Sequence, residues 1–171
     1  GVPGSRRICM GDIVSLDVGV VVNGYVGDMA VTVMVGVNDL ETARLVSTAE
    51  AALYAGIERA RPGGHVGDIS HAIEECSRRA GYSVVRDFVG HGIGRDMHEE
   101  PQIPNFGKRG KGPILQEGMT LAIEPMVNMG THKVLIRSDG WTAVTEDSSL
   151  SAHFENSIAI TKDGPLVLSA P

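Results

Sequence analysis

Four acidic residues stand where acids are costly. Asp17 and Asp28 lie in β-branched stretches, Ile13-Val14-Ser15-Leu16-Asp17-Val18 and Asp28-Met29-Ala30-Val31-Thr32-Val33. Glu124 closes the run from Gly118 through Thr120, Leu121, Ala122 and Ile123, and Glu155 opens Glu155-Asn156-Ser157-Ile158-Ala159-Ile160. An ionised carboxylate buried without a partner costs many kcal/mol, so each acid needs a cation, a metal or a proton. The segments also match in pairs. Gly11 to Asp17 and Gly118 to Glu124 both read glycine, five mostly apolar residues, then an acid. Asp28 to Val33 and Glu155 to Ile160 both read acid, any residue, small, β-branched, small, β-branched. Two matches in the same order imply a duplicated unit, whose pseudo-twofold would bring four acids to one site. A single such acid fits the solvated face of an edge strand; four repeat-related ones argue against it.

A histidine completes the set. His91 sits in Gly90-His91-Gly92-Ile93-Gly94, where glycines permit close approach of backbone and ligand, and His98 follows in His98-Glu99-Glu100-Pro101. A lone loop histidine is more often a surface residue, but the neighbouring acids favour ligation. Four carboxylates and an imidazole suit a pair of divalent first-row ions. Two such ions ~3.5–4 Å apart polarise a carbonyl and supply a nucleophilic hydroxide. His153, two residues before Glu155, shares its strand parity and is given no role. His65 and His71 are expected at the surface. Lys108-Arg109-Gly110-Lys111 reads as a short solubilising basic loop.

The elements that position these groups are legible in outline. Asn23-Gly24 is a strong hairpin signal, so residues 11–36 are expected as two antiparallel strands. A two-residue turn there sets Asp17 opposite Ala30 and Asp28 opposite Gly19, making the acids diagonal neighbours on one face. Asp39 is expected to cap a helix running to about Arg61, with Ala43, Val46, Ala49, Leu53, Ile57 and Ala60 inward. Asp68 is expected to cap a second helix, with Ile69, Ala72, Ile73 and Cys76 on one face and Gly81 as its stop. Residues 90–118 read as a long irregular segment. Strand-like runs follow at Met119–Val127, Val134–Ile136, Trp141–Val144, Ser157–Thr161 and Leu166–Leu168. The order is that of an α+β fold, with no alternating βαβ pattern.

Composition narrows the class. The chain has 171 residues, 42% hydrophobic and 21% charged, with a formal net charge of −6. That argues for one globular domain over residues 1–171, and against a generally basic nucleic-acid surface. No apolar run is long enough to span a membrane as a helix. The two cysteines, Cys9 and Cys76, are too few for a disulfide framework, which fits a reducing compartment.

Taken together, Gly90-His91-Gly92-Ile93-Gly94-Arg95, His98-Glu99-Glu100-Pro101, Met119 to Met126, Ser138-Asp139-Gly140-Trp141-Thr142 and Ser151 to Asn156 resemble the type I methionine aminopeptidases through essentially the whole chain. The resemblance implies the pita-bread fold, a pseudo-twofold duplicated α/β unit around a two-metal site. It implies removal of the initiator methionine from nascent polypeptides with a small second residue. Carried over by motif, Asp17, Asp28, His91, Glu124 and Glu155 are the metal ligands, with Asp28 and Glu155 bridging. Glu124 is also the general base, and His98 contacts the substrate carbonyl and stabilises the oxyanion. Met97, Met126 and Trp141 match positions near the methionine pocket, with core packing as the alternative role. The ions are Co²⁺, Mn²⁺, Fe²⁺ or Zn²⁺.

In the family a histidine directly precedes the segment matching Gly1-Val2-Pro3, and helices come before it. The expectation is therefore an N-terminally incomplete unit, with a remnant of repeat one at about 1–36 and repeat two at about 37–171. The same resemblance implies a nascent chain as substrate, contact with the ribosome as an open question, a cytoplasmic setting and a monomeric full-length protein. Two other functions compete: another pita-bread peptidase of the Xaa-Pro aminopeptidase or prolidase kind, or a non-catalytic relative that keeps the fold for binding.

Overall fold

The structure is a computed structural model and describes residues 3–169, so the Gly1-Val2 part of the N-terminal match lies outside the described residues. Strands β1 (Ile13–Val22) and β2 (Tyr25–Met34) form the expected hairpin. Asn23 at φ 50° and Gly24 at φ 80° make the left-handed two-residue turn that matches strand twist. The register pairs Asp17 with Ala30 and Gly19 with Asp28, as the turn length requires.

Helices α1 (Leu40–Ile57) and α2 (Val66–Arg79) follow. Asp39 caps α1, its carboxylate accepting from the Thr42 amide and hydroxyl at 2.8 and 2.6 Å. The helix ends at Ile57, short of the expected Arg61. The chain tightens there into three-residue turns, with the Arg59 and Ala60 amides donating to the Gly56 and Ile57 carbonyls. The cap position of α2 is His65, not Asp68. Asp68 sits a turn inside and reaches back, accepting from the His65 amide at 2.8 Å.

The remaining strands are β3 (Ser83–Val84), β4 (Gly90–Gly92), β5 (Glu99–Ile103), β6 (Thr120–Ile123), β7 (Met126–Asn128), β8 (Val134–Ile136), β9 (Ala143–Thr145), β10 (Ser151–His153), β11 (Glu155–Thr161) and β12 (Gly164–Val167). The segment expected to be irregular thus contains two strands. Glycine-rich sequence disguised them, since glycine is poor in strands by propensity. Here close packing demands it: a Cβ on Gly90 would lie 2.5 Å from the Ala122 carbonyl oxygen.

The main sheet runs β1-β2-β11-β6-β4-β5, with β12 also on β11. The hairpin β1/β2 and the pair β6/β11 meet at β2–β11, where Glu155 faces Ala30 and Asn156 faces Met29. This is the arrangement a duplicated unit gives when its halves join around a twofold. Helices α1 and α2 pack on one face of the sheet. Leu45, Leu53, Ile69, Ile73, Leu121, Ile123, Ile158 and Ile160 form their common core, all nearly inaccessible. The core covers β6 and β11 well and leaves β1 bare: Leu16, Val18, Val20 and Val22 on that same face are 50–61% exposed.

Candidate metal centre

The opposite face of the sheet carries the acids. Asp17, Ala30 and Glu155 form one row across β1, β2 and β11. His91, Ala122 and Ser157 form a second row across β4, β6 and β11. Ser157 extends it to β2, its hydroxyl accepting from the Asp28 amide at 2.9 Å and donating to the Asp28 carbonyl at 2.8 Å. Asp28 lies two residues from Ala30 and Glu124 two from Ala122, so strand alternation puts all five groups on one face. The small residues Ala30, Ala122 and Ser157 lie between them and leave the space above the sheet open.

Each group has a local reason for its position. Glu124 follows the last residue of β6, where Pro125 breaks the ladder by lacking an amide hydrogen. The Asn105 side-chain amide holds the Glu124 carbonyl at 3.2 Å. The Nδ1 of His91 lies 2.9 Å from the Gly92 carbonyl, which leaves Nε2 facing Glu124 Oε1 at 3.3 Å. Glu155 opens β11 and is only 3% exposed.

The donor atoms converge in two overlapping groups. Those of Asp28, His91 and Glu155 all lie within 4.8 Å of one another, and so do those of Asp17, His153 and Glu155. Glu155 belongs to both. Its Oε1 is sealed from solvent without a hydrogen-bond partner, as is His153 Nε2. An unpartnered buried polar atom costs ~1–3 kcal/mol, a penalty that a bound cation removes. The carboxylate and imidazole donors suit first-row divalent ions. The residues present therefore fit a metal.

Electrostatics agrees. Burial, reinforced by the charges of Glu155, Asp17 and Asp28, pushes the Glu124 carboxyl up to about 9. Burial also raises Glu155; His153 beside it works the other way, and Asp28 and Asp17 add to the rise. Carboxylates that resist ionisation together are what a site built for positive charge looks like before the charge arrives.

The other expected residues fall at varied distances. The His98 ring packs edge-on against His91, centroids 4.5 Å apart, on an exposed segment. The methyl end of Met97 lies against Gly19, next to Asp28. Met126 and Trp141 line an open groove of about 1140 Å³ together with Asp17 and His153. Trp141 is 70% exposed at its rim, so core packing is not its role. A second groove, of about 980 Å³, runs between α1 and α2 and holds none of Asp17, Asp28, His91, Glu124 and Glu155. His153, given no role on sequence grounds, is brought beside Asp17 and Glu155.

Comparison with known proteins meets this geometry. Residues 1–162 match the model of metallopeptidase family M24. A methionine aminopeptidase of Clostridium acetobutylicum is 48% identical over 170 residues, which is 99% of this chain and 68% of the relative. The chain belongs to the methionine aminopeptidases of family M24. The crystal structure of methionine aminopeptidase from Thermotoga maritima superposes with a TM-score of 0.92 at 50% identity, over 94% of this chain and 65% of that one. Prolidase from Pyrococcus furiosus follows at 0.76 and 25% identity, over 98% of this chain and 44% of that one. This M24 chain thus has the pita-bread fold and spans about two thirds of the length of the methionine aminopeptidases it matches. Membership makes it a metal-dependent peptidase, with the carboxylate and histidine groups described above available for the metal.

Proposed function

We propose that the protein removes the N-terminal methionine from polypeptides whose second residue is small, acting with two divalent ions held by Asp17, Asp28, His91, Glu124 and Glu155. The observation that carries this reading is the convergence of those five groups on one sheet face, with Glu155 common to both donor clusters. Bound ions supply Lewis acidity and a nucleophile at neutral pH. Glu155 and Asp28, central on β11 and β2, would help to hold both ions, with Asp17 contributing on one side and His91 with Glu124 on the other.

The chain's own residues supply the rest. Glu124 takes up the proton of the attacking water and delivers it to the leaving amine, from a buried position facing His91. His98, packed on His91, is placed to donate to the substrate carbonyl oxygen as negative charge develops there. Met97, Met126 and Trp141 offer polarisable apolar surface for a thioether side chain.

The substrate is a nascent chain, and the setting is cytoplasmic. No helix among the described residues is long and apolar enough to cross a membrane. The full-length protein acts as a monomer and needs no nucleic acid; any ribosome contact would lie outside the metal centre. The deciding experiment uses the full-length protein loaded with Mn²⁺ or Co²⁺ and compares Met-Ala-Ser with Xaa-Pro peptides. Preferential release of methionine is expected. Preferential cleavage of Xaa-Pro would assign the prolidase-like activity instead. Failure to bind a divalent ion would leave only a binding role.

A further inference from the structure

We propose that His153 is a sixth protein ligand of the metal centre, giving the ion on the Asp17 side an imidazole of its own. The assignment rests on the dimetal reading above and extends it to a residue outside the five. His153 closes β10 and Glu155 opens β11, so the chain changes sheets between them at Phe154.

The backbone of His153 is fixed. Its amide donates to the Thr32 hydroxyl at 2.9 Å, and the same hydroxyl donates to the His153 carbonyl at 2.7 Å. Thr32 Oγ1 is in turn 2.8 Å from Ser15 Oγ. Ser15, Asp17 and Thr32 share the site face of the β1/β2 hairpin, so the clamp ties His153 to the strands that carry Asp17.

The side chain has no other employment. Nε2 is sealed from solvent and lacks a hydrogen-bond partner. It stands 3.8 Å from Glu155 Oε2, too far for a hydrogen bond. Donors ~2.1 Å from a common ion lie about 3–4.2 Å from one another. The donor atoms of Asp17, His153 and Glu155, all within 4.8 Å, are close to that spacing. Glu155 meets the same description from the other side: its Oε1 is also buried and unpartnered. A cation held by Asp17, His153 and Glu155 would give Nε2 the partner it lacks. With five ligands alone, the Asp17-side ion has only oxygen donors; with His153, each ion has one imidazole. Nitrogen donation on both sides favours Co²⁺, Fe²⁺ and Zn²⁺ over Mn²⁺ more evenly across the pair.

The test is proton NMR of the full-length protein with Co²⁺, paired with calorimetric titration of the same ion. A ligating imidazole keeps an exchangeable ring N–H, and paramagnetic Co²⁺ shifts that proton far outside the normal range. Two such signals are expected in the fully loaded protein, and His153→Gln should remove one of them. The same substitution should weaken one of the two binding events by on the order of 10–100-fold or more, leaving the other within about twofold. A doubly loaded protein with the His91 signal alone, and a His153→Gln variant with unchanged affinities, would overturn the assignment and leave the five-ligand centre standing. A wild-type protein that binds no Co²⁺ would overturn both.

Discussion

In the proposed mechanism Glu124 carries two burdens at once, ligand and proton acceptor. Replacing it by Gln removes the base and a charged donor, so kcat in the full-length, metal-loaded protein should fall ~10³-fold. Wild-type kcat would remove Glu124 from the mechanism. The same change has an opposite effect on the metal-free fold. Gln mimics the neutral carboxyl that burial and the surrounding acids favour there, so the metal-free variant should melt higher than wild type above neutral pH. At this scale the sequence is unusually readable. Asp17, Asp28, Glu124 and Glu155 betray themselves because acids are rare in β-branched runs, and the repeat links them. His153 does not, because its meaning depends on the switch from one sheet to another that separates β10 from β11.

Among the elements, the contact between β10 and β2 depends on one hydroxyl. Thr32→Val keeps the shape and strands the amide and carbonyl of His153. The expected loss is on the order of 1–3 kcal/mol in urea denaturation, because buried backbone groups are left unpaired. An unchanged midpoint would show that the pair finds other partners. Strand β1 is a separate matter. Its Leu16, Val18, Val20 and Val22 face is exposed, and its outer edge has no neighbour among the described strands. Such a face and edge invite association. The 171-residue chain should elute as concentration-dependent oligomers in size-exclusion chromatography, and Leu16→Thr with Val18→Thr should shift it toward monomer; a stable monomer at high concentration would contradict this. The hairpin register follows from Asn23-Gly24 alone, and the capped start of α1 from Asp39. Strands β4 and β5 do not follow from local sequence, because what makes them strands is the close approach of Ala122 to Gly90.

For the molecule as a whole, metal and protons compete for the same pocket. The Glu124 carboxyl titrates at about 9 in the metal-free fold against an ordinary 4.5. Between those values the folded chain holds a proton that the unfolded chain has released. Stability of the metal-free protein should therefore be highest below about pH 4.5 as far as this group is concerned, and fall as pH rises toward 9. Chelation should lower the melting temperature, more at pH 8 than at pH 6, and Mn²⁺ or Co²⁺ should restore it. A melting temperature indifferent to chelator at both pH values would mean that the acids do not form a preformed site. The overall architecture was legible through the repeat, since the pairing of β2 with β11 is what two like halves produce. The joining of those halves also sets a timetable. Asp28 and Ser157 hold each other across 129 residues of sequence. During synthesis the first hairpin emerges well before its partner strand β11. Long-range pairing of this kind is entropically expensive and slow. The acids of β1 and β2 must wait, unpaired and solvated, until β11 has emerged. Metal capture must thus follow the docking of β11, and an arrested chain ending before Glu155 should bind Co²⁺ no better than an unfolded one.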